Sequence, residues 1–265
     1  MGGRSRYGAV GGGMGFVVAG AIAVGGAYRL LPPLTAPARL DVHAEYIKYA
    51  SGRDSIAAYV AYPERADPAP AVLVIHEIFG MSDFVRSATE RLAQDGFIAL
   101  APDLLTRRGG TPASPDSARR LIASLSPDTI TQDLNAGFAF LRGMKVVRAD
   151  AIGVIGFCWG GGESFRYATN NPSLGAFVVC YGPGPNRADI GRIRARGFGV
   201  YADRDGRINQ KLFNLDMALH EAHVKYTFKV FPNVGHGFLR TRENPKVADD
   251  AWGAIIAFFL ANLGK

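Results

Sequence analysis

The chain has 265 residues, of which 48% are hydrophobic and 20% are charged, and its formal net charge is +7. This length and composition predict one globular domain with a single large core. Two cysteines, Cys158 and Cys180, are too few for a disulfide scaffold. The basic residues are scattered and no aromatic-basic motif interleaves them, so the positive charge favours an anionic small molecule over nucleic acid.

The first part of the chain, residues 1–38, differs from everything after it. Arg4 and Arg6 precede a glycine-rich apolar stretch, which ends in the small residues Ala36–Ala38. Its strongest apolar part, 16–27, is shorter than the roughly 20 residues that span a bilayer. These three parts predict a leader, either a cleaved signal peptide or an anchor, and an exported or periplasmic protein. The alternative is a disordered extension on a cytoplasmic protein. Membrane contact is expected only through an uncleaved leader.

The remainder, residues 39–265, alternates strand and helix patterns after an initial hairpin. Short apolar runs predict strands at 40–49, 55–62, 71–75, 97–100, 151–157, 176–180, 197–202 and 224–231. Amphipathic spacing and start signals predict helices at 83–94, 114–125, 130–143, 159–170, 208–222 and 244–263. This order predicts a doubly wound, mostly parallel α/β sheet with helices on both faces.

The stretch Ala151–Gly162 joins a buried strand to a helix through a glycine-rich turn. Such a turn is typical of a nucleophile elbow, and Cys158 takes the place of the nucleophile between Gly156 and Gly160. A free thiol with a pKa of about 8.5 is only a few per cent ionised at neutral pH, so a partner must activate it. The alternative interpretation is a small buried residue in a glycine-rich turn.

Candidate partners follow the late strands, because sites in such sheets form at the carboxyl ends of strands. Asp203 and Asp205 follow one strand, and His236 lies in a glycine-flanked loop after the next. With Cys158 they give the chain order of an α/β-hydrolase, nucleophile, acid and histidine. We assign the acid role to Asp205, since a turn into a helix follows it, and expect Asp203 to cap or pair locally. The other histidines are interpreted as surface or packing residues: His43, His76, His220 and His223.

Four short motifs occur together in this chain. They are His76–Gly80 (His-Glu-Ile-Phe-Gly), Ala101–Leu104, Gly156–Gly161 and Gly235–Arg240. Together they resemble the dienelactone hydrolases, which are carboxymethylenebutenolidases of the α/β-hydrolase superfamily. The resemblance covers residues 40–262 and excludes the leader.

The resemblance implies an α/β-hydrolase fold over a catalytic domain that begins at residue 39. It also implies a triad of Cys158, His236 and Asp205, with Glu77 near the thiol. In this arrangement His236 takes the thiol proton, and the aspartate orients the imidazole and stabilises its charged form.

The resemblance further implies sites for the substrate oxyanion and carboxylate. The oxyanion donors are expected to be the backbone N–H groups of Ile78 and Trp159. Arg240 matches a carboxylate-binding arginine by its place after the histidine, and the alternative for Arg240 is an ion pair with Glu243 or another surface acid. The second carboxylate-binding arginine falls in a variable region, where the resemblance does not assign it to one of four residues: Arg107, Arg108, Arg119 and Arg120.

These residues predict a hydrolase that opens a lactone or cleaves a carboxylic ester through a thioester acyl-enzyme. No metal or organic cofactor is needed for this chemistry. One alternative is a broader exported esterase or thioesterase, and another is a binding protein of the same fold that has lost the chemistry. The oligomeric state and the physiological substrate stay open at this point.

Overall fold

The computed structural model describes residues 40–264, so the predicted leader lies outside the described residues. Within them one sheet of eight strands forms the centre of the fold. The strands are β1 (Val42–Ser51), β2 (Asp54–Pro63), β3 (Ala69–Ile75), β4 (Ile98–Pro102), β5 (Val147–Phe157), β6 (Ala176–Cys180), β7 (Arg196–Ala202) and β8 (Tyr226–Phe231). Their order across the sheet is β1-β2-β4-β3-β5-β6-β7-β8. Strand β2 pairs antiparallel with β1 and with β4, and the other strand pairs of the sheet are parallel.

Helices cover both faces of this sheet. In the same part of the chain they are α1 (Asp83–Gln94), α2 (Pro115–Ala123), α3 (Pro127–Gly143), α4 (Trp159–Asn170), α5 (Gly206–Asn209), α6 (Leu212–Glu221), α7 (Phe238–Thr241) and α8 (Pro245–Leu263). One core cluster joins the sheet to α3, α4 and α6, and a second joins it to α1, α7 and α8. This arrangement confirms the predicted doubly wound sheet. No helix among residues 40–264 is long and apolar enough to cross a membrane.

Two helices begin where the sequence predicts a start. The side chain of Ser114 accepts a hydrogen bond from the backbone N–H of Ser117 at the start of α2, and Asn244 caps α8 in the same way through Val247. Proline occupies the first helical position in both helices, where its missing N–H costs nothing. The caps therefore fix the amino-terminal ends of the two helices.

The predicted single helix over 208–222 was wrong, because the chain forms the short α5 and then α6. The Asn209 side-chain amide donates to the backbone oxygens of Ala202 and Asp203, 2.7 and 3.3 Å away. These bonds tie α5 to the carboxyl end of β7, and α6 starts anew at Leu212. The break keeps the loop at Asp205 close to the sheet.

The strand register places the loops of the site side by side. Ile75 at the end of β3 lies opposite Gly156 near the end of β5. Ala202 at the end of β7 lies opposite Phe231 at the end of β8. Because parallel strands end at the same edge of a sheet, the loops after these four strands meet there.

Candidate active site

The turn between β5 and α4 holds Cys158 in a left-handed backbone conformation, with φ of 57° and ψ of −116°. Such a conformation costs a non-glycine residue about 1–3 kcal/mol and persists only where surrounding contacts enforce it. Gly156 and Gly160 permit the turn, since a Cβ on Gly156 would lie 1.8 Å from the Gly160 carbonyl oxygen. The Cys158 backbone N–H donates to the Cys180 carbonyl oxygen over 3.0 Å. The local sequence thus presents the thiol at the carboxyl edge of the sheet.

The structure brings three of the predicted site residues into one line of contacts. Nε2 of His236 lies 3.0 Å from Sγ of Cys158. Nδ1 of the same ring lies 2.5 Å from Oδ2 of Asp205, whose side chain is buried. For Nε2 to accept the thiol proton, Nδ1 must carry the ring hydrogen and donate it to the carboxylate. The arrangement can therefore remove a proton from the thiol and stabilise the imidazolium that results.

Asp203 lies outside this line and has a local role. Its carboxylate accepts hydrogen bonds from the backbone N–H groups of Asn233 and Val234, 2.8 and 3.1 Å away. These bonds lower the pKa of Asp203. Asp203 thus ties the loop after β7 to the loop that carries His236.

The environment of Cys158 favours the neutral thiol. Burial raises the pKa of the Cys158 thiol, and the nearby Glu77 carboxylate raises it further. The backbone N–H of Trp159 and the charges of Arg207 and Arg240 act in the opposite direction, with smaller effect. A thiol of raised pKa depends on a base at the moment of attack, which the neighbouring imidazole can supply.

Glu77 is a buried carboxylate next to this thiol, and its side chain is only 2% exposed. Burial raises the pKa of Glu77 to about 7, although the Arg240 guanidinium lowers it. Nε of Arg240 lies 2.8 Å from Oε2 of Glu77. Glu243 contacts Arg204 instead, 3.2 Å away. The alternative of a local pair between Arg240 and Glu243 was therefore wrong, and the acid that Arg240 contacts is the buried one.

The four arginines that are candidates for the second carboxylate-binding position have different surroundings in the structure. Arg107 forms an ion pair with the buried Asp133, so its guanidinium is occupied within the fold. Arg119 lies over the ring of Phe79 at 5.0 Å, and Arg240 lies over the same ring at 5.1 Å. Of the four, Arg119 is thus the one that the structure brings to the same ring as Arg240. The side chains of the remaining two are exposed: Arg108 and Arg120.

The two predicted oxyanion donors lie in the loop after β3 and at the start of α4. Ile78 follows β3, and among residues 40–264 its backbone N–H has no hydrogen-bond acceptor. Trp159 opens α4, where the first N–H groups of a helix have no partner within the helix. The Trp159 ring stacks on the buried His76 with the centroids 5.5 Å apart. His76 therefore has the packing role that the sequence predicts, and it packs against the residue that directly follows Cys158.

The chain is similar to proteins of one family over most of its length. The sequence pattern of the dienelactone hydrolase family matches residues 56–263. This chain belongs to the dienelactone hydrolase family. Relatives from Escherichia coli (strain K12) and Methylorubrum extorquens each carry the name "Putative carboxymethylenebutenolidase". The first is 32% identical over 242 residues and covers 84% of this chain and 88% of the relative. The second is 31% identical over 221 residues and covers 77% and 76%.

Solved structures of dienelactone hydrolases share the fold. One from Klebsiella pneumoniae, called a "Putative Dienelactone Hydrolase", has a TM-score of 0.76 and 27% identity, covering 83% of this chain and 98% of that one. A dienelactone hydrolase from Anabaena variabilis has a TM-score of 0.68 and 19% identity, covering 84% and 99%. The predictions of an α/β-hydrolase fold and of a carboxymethylenebutenolidase-like hydrolase are therefore confirmed.

One residue of this dienelactone hydrolase site was missed by the sequence analysis. Tyr181 directly follows β6, is fully buried and has a left-handed φ of 42°. Its ring meets that of His236 edge-on, with the centroids 5.1 Å apart. The available signal was its place at the carboxyl end of a central strand. Among the described residues no group of three or more His, Cys, Asp or Glu side chains is arranged to hold a metal ion.

Proposed function

We propose that this dienelactone hydrolase opens a lactone or cleaves a carboxylic ester through Cys158, His236 and Asp205. One observation carries the proposal, the unbroken line of contacts from Sγ through the imidazole to the buried carboxylate. The left-handed turn at Cys158 supports it, because strained backbone of this kind concentrates at functional sites.

In the proposed reaction, Sγ of Cys158 attacks the substrate carbonyl carbon while Nε2 of His236 takes the thiol proton. The new C–S bond leaves negative charge on the carbonyl oxygen, which the N–H groups of Ile78 and Trp159 stabilise. The C–O bond to the leaving group then breaks, and the imidazolium returns its proton to the departing oxygen. Water attacks the thioester with His236 as base, and Cys158 leaves as the thiol.

A substrate carboxylate is proposed to bind beside Phe79, the ring that Arg119 and Arg240 both contact. A cavity of about 570 Å³ lies there, and both Phe79 and Arg240 line it. A planar guanidinium can hold a carboxylate with two parallel hydrogen bonds and so orient the carbonyl for attack. The bound substrate is thus an anionic lactone or ester. The neighbouring Glu77, while charged, opposes early loss of the thiol proton.

Export is part of the proposal and rests on residues 1–38 alone. A basic segment, an apolar segment and a run of small residues follow one another there, and this order supports either a cleaved signal peptide or an anchor. Sequencing the amino terminus of the protein from the extracytoplasmic fraction tests this. A start near Arg39 supports a cleaved signal, and intact Met1 on cytoplasmic protein contradicts export.

Alkylation tests the proposed nucleophile. Iodoacetamide is expected to inactivate the enzyme with one label at Cys158, because that side chain is partly exposed and contacts a base. Cys180 is fully buried, and burial raises the pKa of its thiol well above the ordinary value, so it should stay unlabelled. Cys180→Ala is the matched control and should be inactivated like the wild type. Full activity after complete labelling of Cys158 would contradict the proposal.

A further inference from the structure

A second cavity lies beside the loop that follows β6. It has a volume of about 390 Å³ and is lined by the loop Gly182–Pro185 after β6 and by residues of α5 and α6. Ile208 and Leu215 contribute apolar surface, and Arg207 and Lys211 contribute charge. We call this cavity the Arg207 cleft. Its chemistry is that of an apolar slot with three cations, of which Arg187 is the third.

The Arg207 cleft adjoins the turn that carries Cys158. A Cβ on Gly182 would lie 2.4 Å from the backbone of Gly161, so the loop after β6 packs directly on the first turn of α4. Arg207 follows Asp205 by two positions, and its charge lowers the pKa of the Cys158 thiol. A cation of the cleft is therefore close enough to Cys158 to act electrostatically on its sulfur.

The cleft is distinct from the cavity beside Phe79. Ile208 packs in the core cluster on the face of the sheet that α4 and α6 cover. Leu239, next to Arg240, packs in the cluster on the opposite face. Arg207 and Arg240 thus belong to two short helices, α5 and α7, that pack on opposite faces of the sheet.

Two of the three cations of the cleft have no acidic partner. Neither Arg207 nor Lys211 forms an ion pair with any carboxylate in the described range, whereas Arg187 at the same cavity pairs with Glu221. The Arg207 and Lys211 side chains are exposed. A ligand that enters the apolar slot with a negative end would supply the missing counter-charge.

We infer that the Arg207 cleft binds a substrate chain that is apolar along its length and anionic at its far end. This is a second anionic subsite, additional to the one beside Phe79. The inference rests on the proposed function, since it takes Cys158 as the nucleophile, and it extends the substrate class to esters of dicarboxylic acids.

A series of p-nitrophenyl half-esters tests the subsite. The succinate, adipate and suberate half-esters carry a terminal carboxylate, and the butyrate, hexanoate and octanoate esters are their neutral counterparts of equal length. For each pair the measured quantity is the ratio of kcat/KM, anionic over neutral. At the length that reaches the cations we expect a ratio of about five or more, the upper end for one exposed charge pair.

Variants assign that preference to the cleft. In Lys211→Met and Arg207→Met the ratio should fall severalfold, and Arg207→Lys should retain part of it because the charge remains. Lys225→Met is the matched control, since Lys225 is an exposed lysine before β8, outside the lining of the cleft. A ratio near one at every length, an equal fall in Lys225→Met, or a fall only in Arg240→Gln would overturn the inference.

Binding without chemistry separates this inference from the proposed function. Calorimetry of Cys158→Ala with suberate and octanoate should show tighter binding of suberate, which Lys211→Met abolishes. That result supports the cleft even if no thioester forms at Cys158. Equal binding of the two acids to Cys158→Ala, while the wild type still forms a thioester, would overturn the cleft and leave the proposed function intact.

Discussion

The ends of β5 and β6 lie side by side, and each carries a cysteine with a different environment. Phe157 at the end of β5 pairs with Cys180 at the end of β6, so Cys158 and Cys180 are near neighbours. Cys180 is fully buried inside its strand, whereas Cys158 occupies a left-handed turn with an imidazole nitrogen 3.0 Å from its sulfur. Burial and the Glu77 charge raise the pKa of both thiols. The difference in expected reactivity therefore comes from the turn and the adjacent base, and not from the residue type.

Removing the acid that orients this base should reduce the reactivity of Cys158 most strongly. Asp205→Asn is expected to lower kcat by about 10⁴-fold, because an asparagine favours the wrong tautomer of His236. Steady-state hydrolysis of p-nitrophenyl acetate measures this effect. Asp203→Asn is the matched variant and should cost far less, since Asp203 accepts hydrogen bonds from backbone N–H groups and does not contact the His236 ring. The reverse order of the two losses would transfer the acid role to Asp203.

The charge of the substrate should affect the rate of the reaction at Cys158 through Arg240. Arg240→Ala should lose about 1.5–3 kcal/mol of transition-state binding for a carboxylated lactone, the range for hydrogen bonds to charged groups. This corresponds to about 10- to 150-fold in kcat/KM. A neutral analogue of the lactone has no carboxylate to bind and should lose much less. Equal losses on the two substrates would remove Arg240 from the substrate site.

The charge of Glu77 acts on both cysteines and raises the pKa of each thiol. The Glu77 pKa of about 7 exceeds the ordinary 4.5, so the folded state holds a proton that the unfolded state releases. Stability from this group is fully present below pH 4.5 and is lost as the pH rises to about 7. Relative to Glu77→Gln, the free energy of unfolding of the wild type should fall by about 2–3 kcal/mol over this window.

Urea denaturation of both proteins at several pH values measures this loss. Gln is the matched replacement, since it keeps the shape of the side chain and removes its charge. Parallel pH profiles for wild type and variant would contradict the raised pKa, because they would show that Glu77 ionises alike in the folded and unfolded states.

Most of the fold and the central site residues follow from sequence because each depends on a local pattern. Cys158 lies in a glycine-rich turn after an apolar run, and His236 lies between two glycines after a later strand. Asp205 was chosen over Asp203 from the turn that follows it, and in the structure Asp205 is the one that contacts His236. These features are readable within a few residues, without knowledge of the packing.

Features that depend on contacts between distant segments could not be predicted in this way. The ion pair of Arg240 with Glu77 joins α7 to the loop after β3, and no local sequence pattern predicts it. The place of Arg119 at Phe79 likewise depends on how α2 packs over the site. The division between α5 and α6 depends on Asn209 bonding to the end of β7. Tertiary bonds outweighed helix propensity at that point.

The central claim is that Cys158 carries the acyl group of the substrate. Mixing the enzyme with p-nitrophenyl acetate, quenching in acid within the first turnovers and mapping the peptides by mass spectrometry tests it most directly. We expect one acetyl group on Cys158, lost on standing in the active enzyme, and none on Cys180 or in Cys158→Ala. Steady hydrolysis by Cys158→Ala at the rate of the wild type, or an acetyl group that forms elsewhere and turns over, would contradict the claim.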